Sequence, residues 1–277
     1  MQYRDILYRV EDPVAIITMN RPERLNAFTT TMLAEIRHAV AAAERDPRVV
    51  GIILTGAGRG FCAGMDMAAL DEISAAAGLS GDEDASLAAS PGDAAMGADF
   101  SIAYTYLLAV RKPLLAAVNG PCAGLGFCFA LLSDMRFVER QAKFSTAFAG
   151  RGLVAEHAVS WLLPRLIGSS RSLDILWSAR RFDGEEAQQM GLADRLCETG
   201  TALDTARQYI VELARNVSPA SIMVIKQQVY RHLMMTLGPA MEETNRLMEE
   251  SLTRPDFREG VRSFLEQREP AFKRISL

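Results

Sequence analysis

The sequence predicts an α/β core followed by a helical C-terminal part. Strand-like apolar runs alternate with helical stretches as far as about residue 157, and the pattern beyond is nearly all helical. The length, 277 residues with 49% hydrophobic and 23% charged, is enough chain for a full core.

Residues 3–9 and 14–19 read as two strands broken by Glu11-Asp12-Pro13, so a hairpin is expected. Residues 30–45 carry Met32, Leu33, Ile36, Val40 and Ala43 near helical spacing, and Pro47 ends that helix. Residues 49–54 form a continuous apolar run suited to a buried strand. A loop with Gly56, Gly58, Gly60 and Gly64 follows. Residues 71–100 hold seven acidic residues, no basic ones, nine alanines and four glycines. This predicts a mobile acidic insertion, part helix and part loop. Residues 102–110 read as a helix stopped by Pro113, and residues 114–118 as a second buried strand leading into a glycine turn and an apolar helix. A third strand is expected at 135–138. Helices are expected at 158–167, 170–179, 184–190, 201–215, 219–236, 239–252 and 256–268, with Trp161 and Trp177 in the core. Met234, Met235, Met241 and Met248 look exposed, as in a packed helical subdomain or an oligomer interface.

Composition narrows the function. A net charge of −4 gives no basic field for nucleic acid. Cys62, Cys122, Cys128 and Cys197 show no C-x-x-C spacing, and with only three histidines neither a disulfide scaffold nor a zinc site is expected. The N-terminus lacks the apolar run of a signal peptide, and no stretch reaches the length of a membrane span. A soluble, reduced, cytoplasmic protein is the expectation.

Two segments, 51–66 and 114–134, share one grammar: buried strand, glycine turn, helix. Either turn alone suits a purely structural role. Facing each other, they would offer two backbone N–H groups to one oxygen, as an oxyanion hole does. Gly56–Gly64 is not a phosphate loop, since the closing Lys and Ser/Thr are missing, and Gly120–Gly126 is not a dinucleotide fingerprint, since G-x-G-x-x-G does not occur there.

Three motifs carry a resemblance. They are Arg21-Pro22-Glu23-Arg24-Leu25-Asn26-Ala27, the G-x-G-x-x-F-x-A-G-x-D run from Gly56 to Asp66, and the K-P-x-x-A-x-V-N-G-x-x-x-G-x-G run from Lys112 to Gly126. The chain resembles the crotonase superfamily, the enoyl-CoA hydratase/isomerase family, over nearly its whole length. The likeness continues through Ser133-Asp134, Ala142-Lys143-Phe144, 163–168 and 187–193 to Phe257-Arg258-Glu259-Gly260 and Phe272-Lys273. It implies a crotonase-like spiral of β-β-α units. Residues 1–200 would form the acyl-CoA-binding core, and 201–277 a helical region that builds a homotrimer or a dimer of trimers.

The resemblance also implies an acyl-CoA thioester substrate whose oxygen is held by the backbone N–H groups of Met65, after Ala63-Gly64, and of Leu125, after Gly124. Arg24 and Leu25 would lie along the CoA. Phe264 and Lys273 would approach the CoA of a neighbouring subunit, although Lys273 reads equally as a solvated tail charge. Asp66 would brace the first glycine turn by accepting backbone N–H bonds. No redox cofactor and no metal is implied; coenzyme A enters as part of the substrate.

The chain departs from the family's hydratases. These use two glutamates, one six residues before the aspartate of the Ser-Asp pair and one fourteen residues after it; here those positions are Cys128 and Phe148. Cys128, between Phe127 and Phe129, reads as core, and Phe148 as lining the acyl pocket. Glu156, eight residues beyond Phe148, stands where dienoyl-CoA isomerases and the ring-opening isomerase of bacterial phenylacetate degradation carry a catalytic carboxylate. A double-bond shift needs one carboxylate, which removes a proton at C2 and returns it at C4. The site pattern therefore resembles a single-carboxylate enoyl-CoA isomerase with Glu156 as the proton shuttle. The alternatives are a hydratase (a lyase) in which Glu156 works with His157 or with another group, another reaction on a CoA thioester such as hydrolysis, and a silent acyl-CoA-binding member. Glu156 also reads as a cap of the following helix. Arg151 pairs with Glu156 or with a neighbouring acid.

Overall fold

β1 (Ile6–Glu11) and β2 (Val14–Met19) form an antiparallel hairpin across Asp12-Pro13. β1 begins later than the sequence suggests because the Arg4 and Asp5 N–H groups donate to the Glu35 carboxylate, at 2.6 and 2.8 Å. The computed structural model describes residues 2–76 and 85–276. β3 (Gly51–Gly56), β4 (Leu114–Val118), β6 (Met135–Glu139) and β9 (Arg195–Cys197) join β2 in parallel, giving the order β1-β2-β3-β4-β6-β9. A small second sheet holds β5 (Cys122–Ala123), β7 (Lys143–Ser145) and β8 (Phe182–Asp183).

The main sheet is covered on both faces, which is why its strands read as unbroken apolar runs. Side chains alternate across it. Ala15, Ile17, Ile52, Leu54, Leu114 and Ala116 enter the larger core cluster, while Val14, Ile16, Ile53, Leu115 and Ala117 enter the other. The first face carries α1 (Thr30–Arg45), which opens with the Thr29 hydroxyl accepting the Met32 N–H at 3.0 Å. α2 (Met67–Ala76), α3 (Tyr106–Ala109), α4 (Leu125–Leu131), α5 (Val159–Ile167), α6 (Ser169–Ser178) and α7 (Gly184–Met190) follow in the chain. The second face is closed by α8 (Ala202–Asn216), whose Ala202, Ala206 and Ile210 are fully buried. The helical tail thus begins with an element of the core. Within the tail, α9 (Pro219–His232), α10 (Leu237–Thr253) and α11 (Pro255–Leu265) carry exposed apolar residues, among them Val229, Leu237, Met241, Met248 and Phe264. No helix among the described residues is long and apolar enough to cross a membrane.

Several expectations change. The helix expected over 102–110 shrinks to α3, because Ala103 takes a positive φ and the Thr105 hydroxyl donates to the Asp99 and Ile102 carbonyls. β3 starts two residues late, since the Val50 N–H is taken by the Pro13 carbonyl. The helix expected to run to 236 ends at His232. β5, β7, β8 and β9 escape a periodicity reading because two or three residues show no period. Trp177 is 73% exposed and not core; Trp161 is half-buried with the Arg165 guanidinium over its ring.

The mobility expected of the acidic insertion lies, for 77–84, outside the described residues. Beyond them the insertion is anchored. Leu87, Met96 and Phe100 are buried, the Gly92 N–H donates to Glu44, and Asp93 pairs with Arg111 at 3.4 Å. Arg111, outside the insertion, supplies the positive charge beside Asp93.

Candidate active site

The first glycine turn is set by the motif that precedes it. Pro22–Arg24 forms a 3-10 turn, and Leu25 and Asn26 then take left-handed backbone, with φ of 49° and 57°. This folds the chain back so that buried Asn26 accepts the Arg21 N–H at 2.9 Å and donates to the Ala57 and Gly60 carbonyls at 2.9 and 2.8 Å. The Ala63 N–H closes onto the Leu25 carbonyl at 3.0 Å. Leu25 is thereby stitched to the turn, and exposed Arg24 stands beside it. From the other side, the Asn119 side-chain amide donates to the Gly56 carbonyl at 2.8 Å.

The two turns meet. The Phe28 N–H donates to the Gly64 carbonyl at 2.8 Å and the Asp66 N–H to the Phe28 carbonyl at 2.9 Å, which turns the intervening Met65 N–H away from that pairing. Leu125 is the first residue of α4, after Gly124. Neither the Met65 nor the Leu125 N–H has a hydrogen-bond acceptor among the described residues. Gly64 has φ +103° and Gly124 φ +51°. A Cβ on Gly64 would lie 3.1 Å from the Ala123 carbonyl oxygen and 3.6 Å from the Leu125 nitrogen; one on Gly124 would lie 3.8 Å from Gly64 Cα. At Gly64 both the positive φ and the 3.1 Å approach favour glycine; at Gly124 the conformation alone does. Ala63, Gly64, Met65, Gly124 and Leu125 are thus brought together.

Asp66 accepts the Ala68 N–H at 3.0 Å and pairs with Arg21 at 3.0 Å. Those two contacts hold its carboxyl below the usual range. It braces the start of α2 and ties it back to the Arg-Pro motif.

Glu156 lies at the elbow before α5. The cap position is Ala158, the Val159 N–H donates to the Glu156 carbonyl at 3.0 Å, and no helix N–H donates to the Glu156 carboxylate among the described residues, so Glu156 is not a side-chain cap. His157 and Ala158 both have positive φ, 50° and 65°, and this strained pair leaves the Glu156 side chain part-exposed and free of the helix end. His157 Nε2 lies 3.8 Å from its carboxylate. Burial lowers the imidazole pKa from its ordinary value, with Glu156 opposing. Tyr104 meets the His157 ring edge-on at 4.8 Å, and burial, with the Glu156 charge adding to it, pushes its phenol up to about 12. Arg151 makes no ion pair with Glu156 among the described residues; its guanidinium reaches back to the Ala147 carbonyl.

Cys128 is fully buried, as expected of core, and burial followed by the Glu156 charge drives its thiol well up. Phe148 is 4% exposed and belongs to the main core cluster. Phe264 on α11 is 82% exposed and borders a groove of ≈ 600 Å³ with Phe257 and Phe272. Lys273 is exposed in the tail beyond α11 and makes no ion pair among the described residues. No cluster of three or more His, Cys, Asp or Glu side chains placed to hold a metal ion occurs among the described residues.

The enoyl-CoA hydratase/isomerase family profile matches residues 9–274. The chain belongs to the enoyl-CoA hydratase/isomerase family. It is 32% identical to the 1,2-epoxyphenylacetyl-CoA isomerase of Escherichia coli, over 96% of this chain and 97% of that one. It is 32% identical to a probable enoyl-CoA hydratase of Rhodobacter capsulatus, over 98% and 99%. A solved enoyl-CoA hydratase/isomerase family protein from Hyphomonas neptunium superposes with a TM-score of 0.83 at 31% identity, covering 98% of each chain. The crotonase fold expected from the motifs is the fold observed, and the chain is an enzyme of this family.

Tyr104 was not legible as a site residue, because it sits in an irregular segment far in sequence from Glu156. Asn26 and Asn119 were legible only as motif letters; their bracing of the turn is a tertiary fact.

Proposed function

We propose that this enzyme shifts a double bond within an enoyl-CoA thioester. The observation that carries this reading is the carboxylate count. Both hydratase positions hold groups that cannot serve as a base, Cys128 and Phe148, while Glu156 is part-exposed, free of capping duty, and close enough to α4 for its charge to act on Cys128. The likeness to a relative named as an isomerase supports the same reading.

The thioester oxygen takes the Met65 and Leu125 N–H groups. The Glu156 carboxylate removes the C2 proton of a 3-enoyl-CoA, and the electron pair moves through C1 to the thioester oxygen, giving a dienolate. The protonated Glu156 then returns the proton to C4. Electrons flow back, the C2–C3 double bond forms, and the carboxylate is regenerated. Each N–H donor lowers the barrier by about 3–4 kcal/mol, because it is aimed at charge that develops only in the transition state. Burial keeps His157 from acting as a charged partner to Glu156. Arg24, Leu25, Ala63, Gly64, Asp66 and Gly124 line the thioester and CoA side, and Phe148 closes the acyl side. Phe264 and Lys273 serve a neighbouring subunit's CoA in a trimer or a dimer of trimers, a role that suits their exposure.

A second reading, hydration of a 2-enoyl-CoA, is favoured by His157 as a further proton-handling group 3.8 Å from Glu156 and by the relatives named as hydratases. One experiment separates the two. The purified enzyme is given a 3-enoyl-CoA and, in parallel, a 2-enoyl-CoA in heavy water, and products are identified by mass. The isomerase reading expects 2-enoyl-CoA from the first, abolished in Glu156→Gln. Formation of 3-hydroxyacyl-CoA from the second without isomerisation of the first overturns it.

A further inference from the structure

The two N–H groups assigned to the thioester oxygen belong to two peptide units, Gly64–Met65 and Gly124–Leu125. The far end of each unit is a carbonyl, and both carbonyls are engaged in the same way. The Gly64 oxygen accepts the Phe28 N–H at 2.8 Å and the Cys62 thiol at 3.7 Å. The Gly124 oxygen accepts the Cys128 N–H at 3.1 Å and the Cys128 thiol at 3.4 Å. Each carbonyl therefore has one backbone donor and one cysteine thiol behind it. A thiol bonded to the carbonyl four residues back is ordinary within a helix. The Cys62 bond is not of that kind, since it reaches forward within a turn, and the same arrangement at both donors is not a helical habit.

We propose that Cys62 and Cys128 are positioning residues of the oxyanion hole, each donating its S–H to the carbonyl of the peptide whose N–H holds the thioester oxygen. The proposal rests on the reading of Met65 and Leu125 given above. Two physical effects follow. Hydrogen bonds in a chain polarise one another, so an amide that accepts more at its oxygen donates more strongly at its nitrogen. A second donor also resists rotation of the peptide plane, which matters beside glycines whose backbone admits several orientations. Both cysteines are fully buried. Burial pushes the Cys62 thiol up to about 12 and the Cys128 thiol higher still, so both keep the proton they donate. Cys128 thus has a function at the position where a hydratase carries a carboxylate, and the absence of that carboxylate does not leave the position inert.

The probe is butanoyl-CoA carrying carbon-13 at the thioester carbonyl, a saturated ligand that cannot isomerise. Infrared difference spectra report how far the carbonyl stretch falls on binding to the wild type and to Cys62→Ala, Cys62→Ser, Cys128→Ala and Cys128→Ser. The alanine variants are expected to lose about 10–30% of the wild-type shift. Their isomerase kcat should fall about two- to sevenfold with KM nearly unchanged, that being the same fraction of one donor's contribution. The serine variants, which keep an O–H donor, should retain the shift. A wild-type readout needs no variant to fold: the S–H stretching band should move to lower frequency when the acyl-CoA binds, as each carbonyl gains electron density.

Full shift and full kcat in both alanine variants, with an S–H band that ignores the ligand, overturn the proposal. Serine variants as impaired as alanine overturn it too, since packing alone would then account for the loss. Absence of any carbonyl shift in the wild type is a different result: it removes the oxyanion reading of Met65 and Leu125, and the cysteine proposal with it.

Discussion

The His157 imidazole lies 3.8 Å from the Glu156 carboxylate, and the two residues are adjacent in a backbone bent by consecutive positive φ angles. Burial lowers the His157 pKa from its ordinary 6.5, and Glu156 only partly offsets this. The folded chain therefore binds that proton less tightly than the unfolded chain. Its contribution to stability is complete above pH 6.5 and is lost as the pH falls through the lower folded value. Thermal melts between pH 7.5 and 5 should show a decline that His157→Gln partly flattens; equal slopes in the two proteins would mean that His157 is not held neutral.

Glu156→Gln keeps size and polarity and removes the base. The isomerase kcat should fall by about 10²–10⁴ while KM stays within a small factor, since the thioester is held elsewhere. Steady-state kinetics with a 3-enoyl-CoA measure this. A matched rise in KM with kcat preserved would place Glu156 in binding, not proton transfer.

Gly64→Ala sets a methyl 3.1 Å from the Ala123 carbonyl oxygen, two residues before Leu125, and strains a backbone at φ +103°. The strain costs about 1–3 kcal/mol, and kcat should fall about 100-fold or more as one donor is displaced. Gly152→Ala is the control, with φ +73° and nothing within 4 Å of the new methyl. It should lose stability without losing kcat. Equal kinetic losses in both would deny the turn its special role.

Asn26→Ala removes an amide that is fully buried and bonded at both ends, to the Arg21 N–H and to the Ala57 and Gly60 carbonyls. Stability should drop by about 3 kcal/mol, because two carbonyls and an N–H lose a partner. Chemical denaturation measures it, and a loss near zero would show that water replaces the amide.

The apolar residues left exposed on α9 to α11 call for a partner surface. Ile225 and Val229, 55% and 54% exposed, lie one helical turn apart on α9. Sedimentation should give three or six times the 30.3 kDa chain mass, and the Ile225→Glu/Val229→Glu pair should shift it toward a single chain. A wild type that sediments as one chain would remove the oligomer and the shared-CoA roles of Phe264 and Lys273.

The main sheet and most helices were legible because each carries a long local signal. α1 was read to the residue from its apolar spacing, and β4 from its unbroken apolar run. α3 was overread, because its boundary is set by Thr105 and Ala103, which periodicity does not see. Helical spacing reads Trp177 as core, yet its helix turns it outward.

The sequence by itself determined the family, the two glycine turns and which residues stand at 128, 148 and 156. These are statements about residue type and spacing, and each is written in a contiguous motif. Tertiary structure alone decided that the turns face each other across Gly64 and Gly124, that Tyr104 stands against His157, and that each assigned N–H donor has a cysteine thiol behind its carbonyl. Those relations join residues up to about sixty positions apart. Side-chain direction and ångström-scale distance settle them, and a linear sequence carries neither.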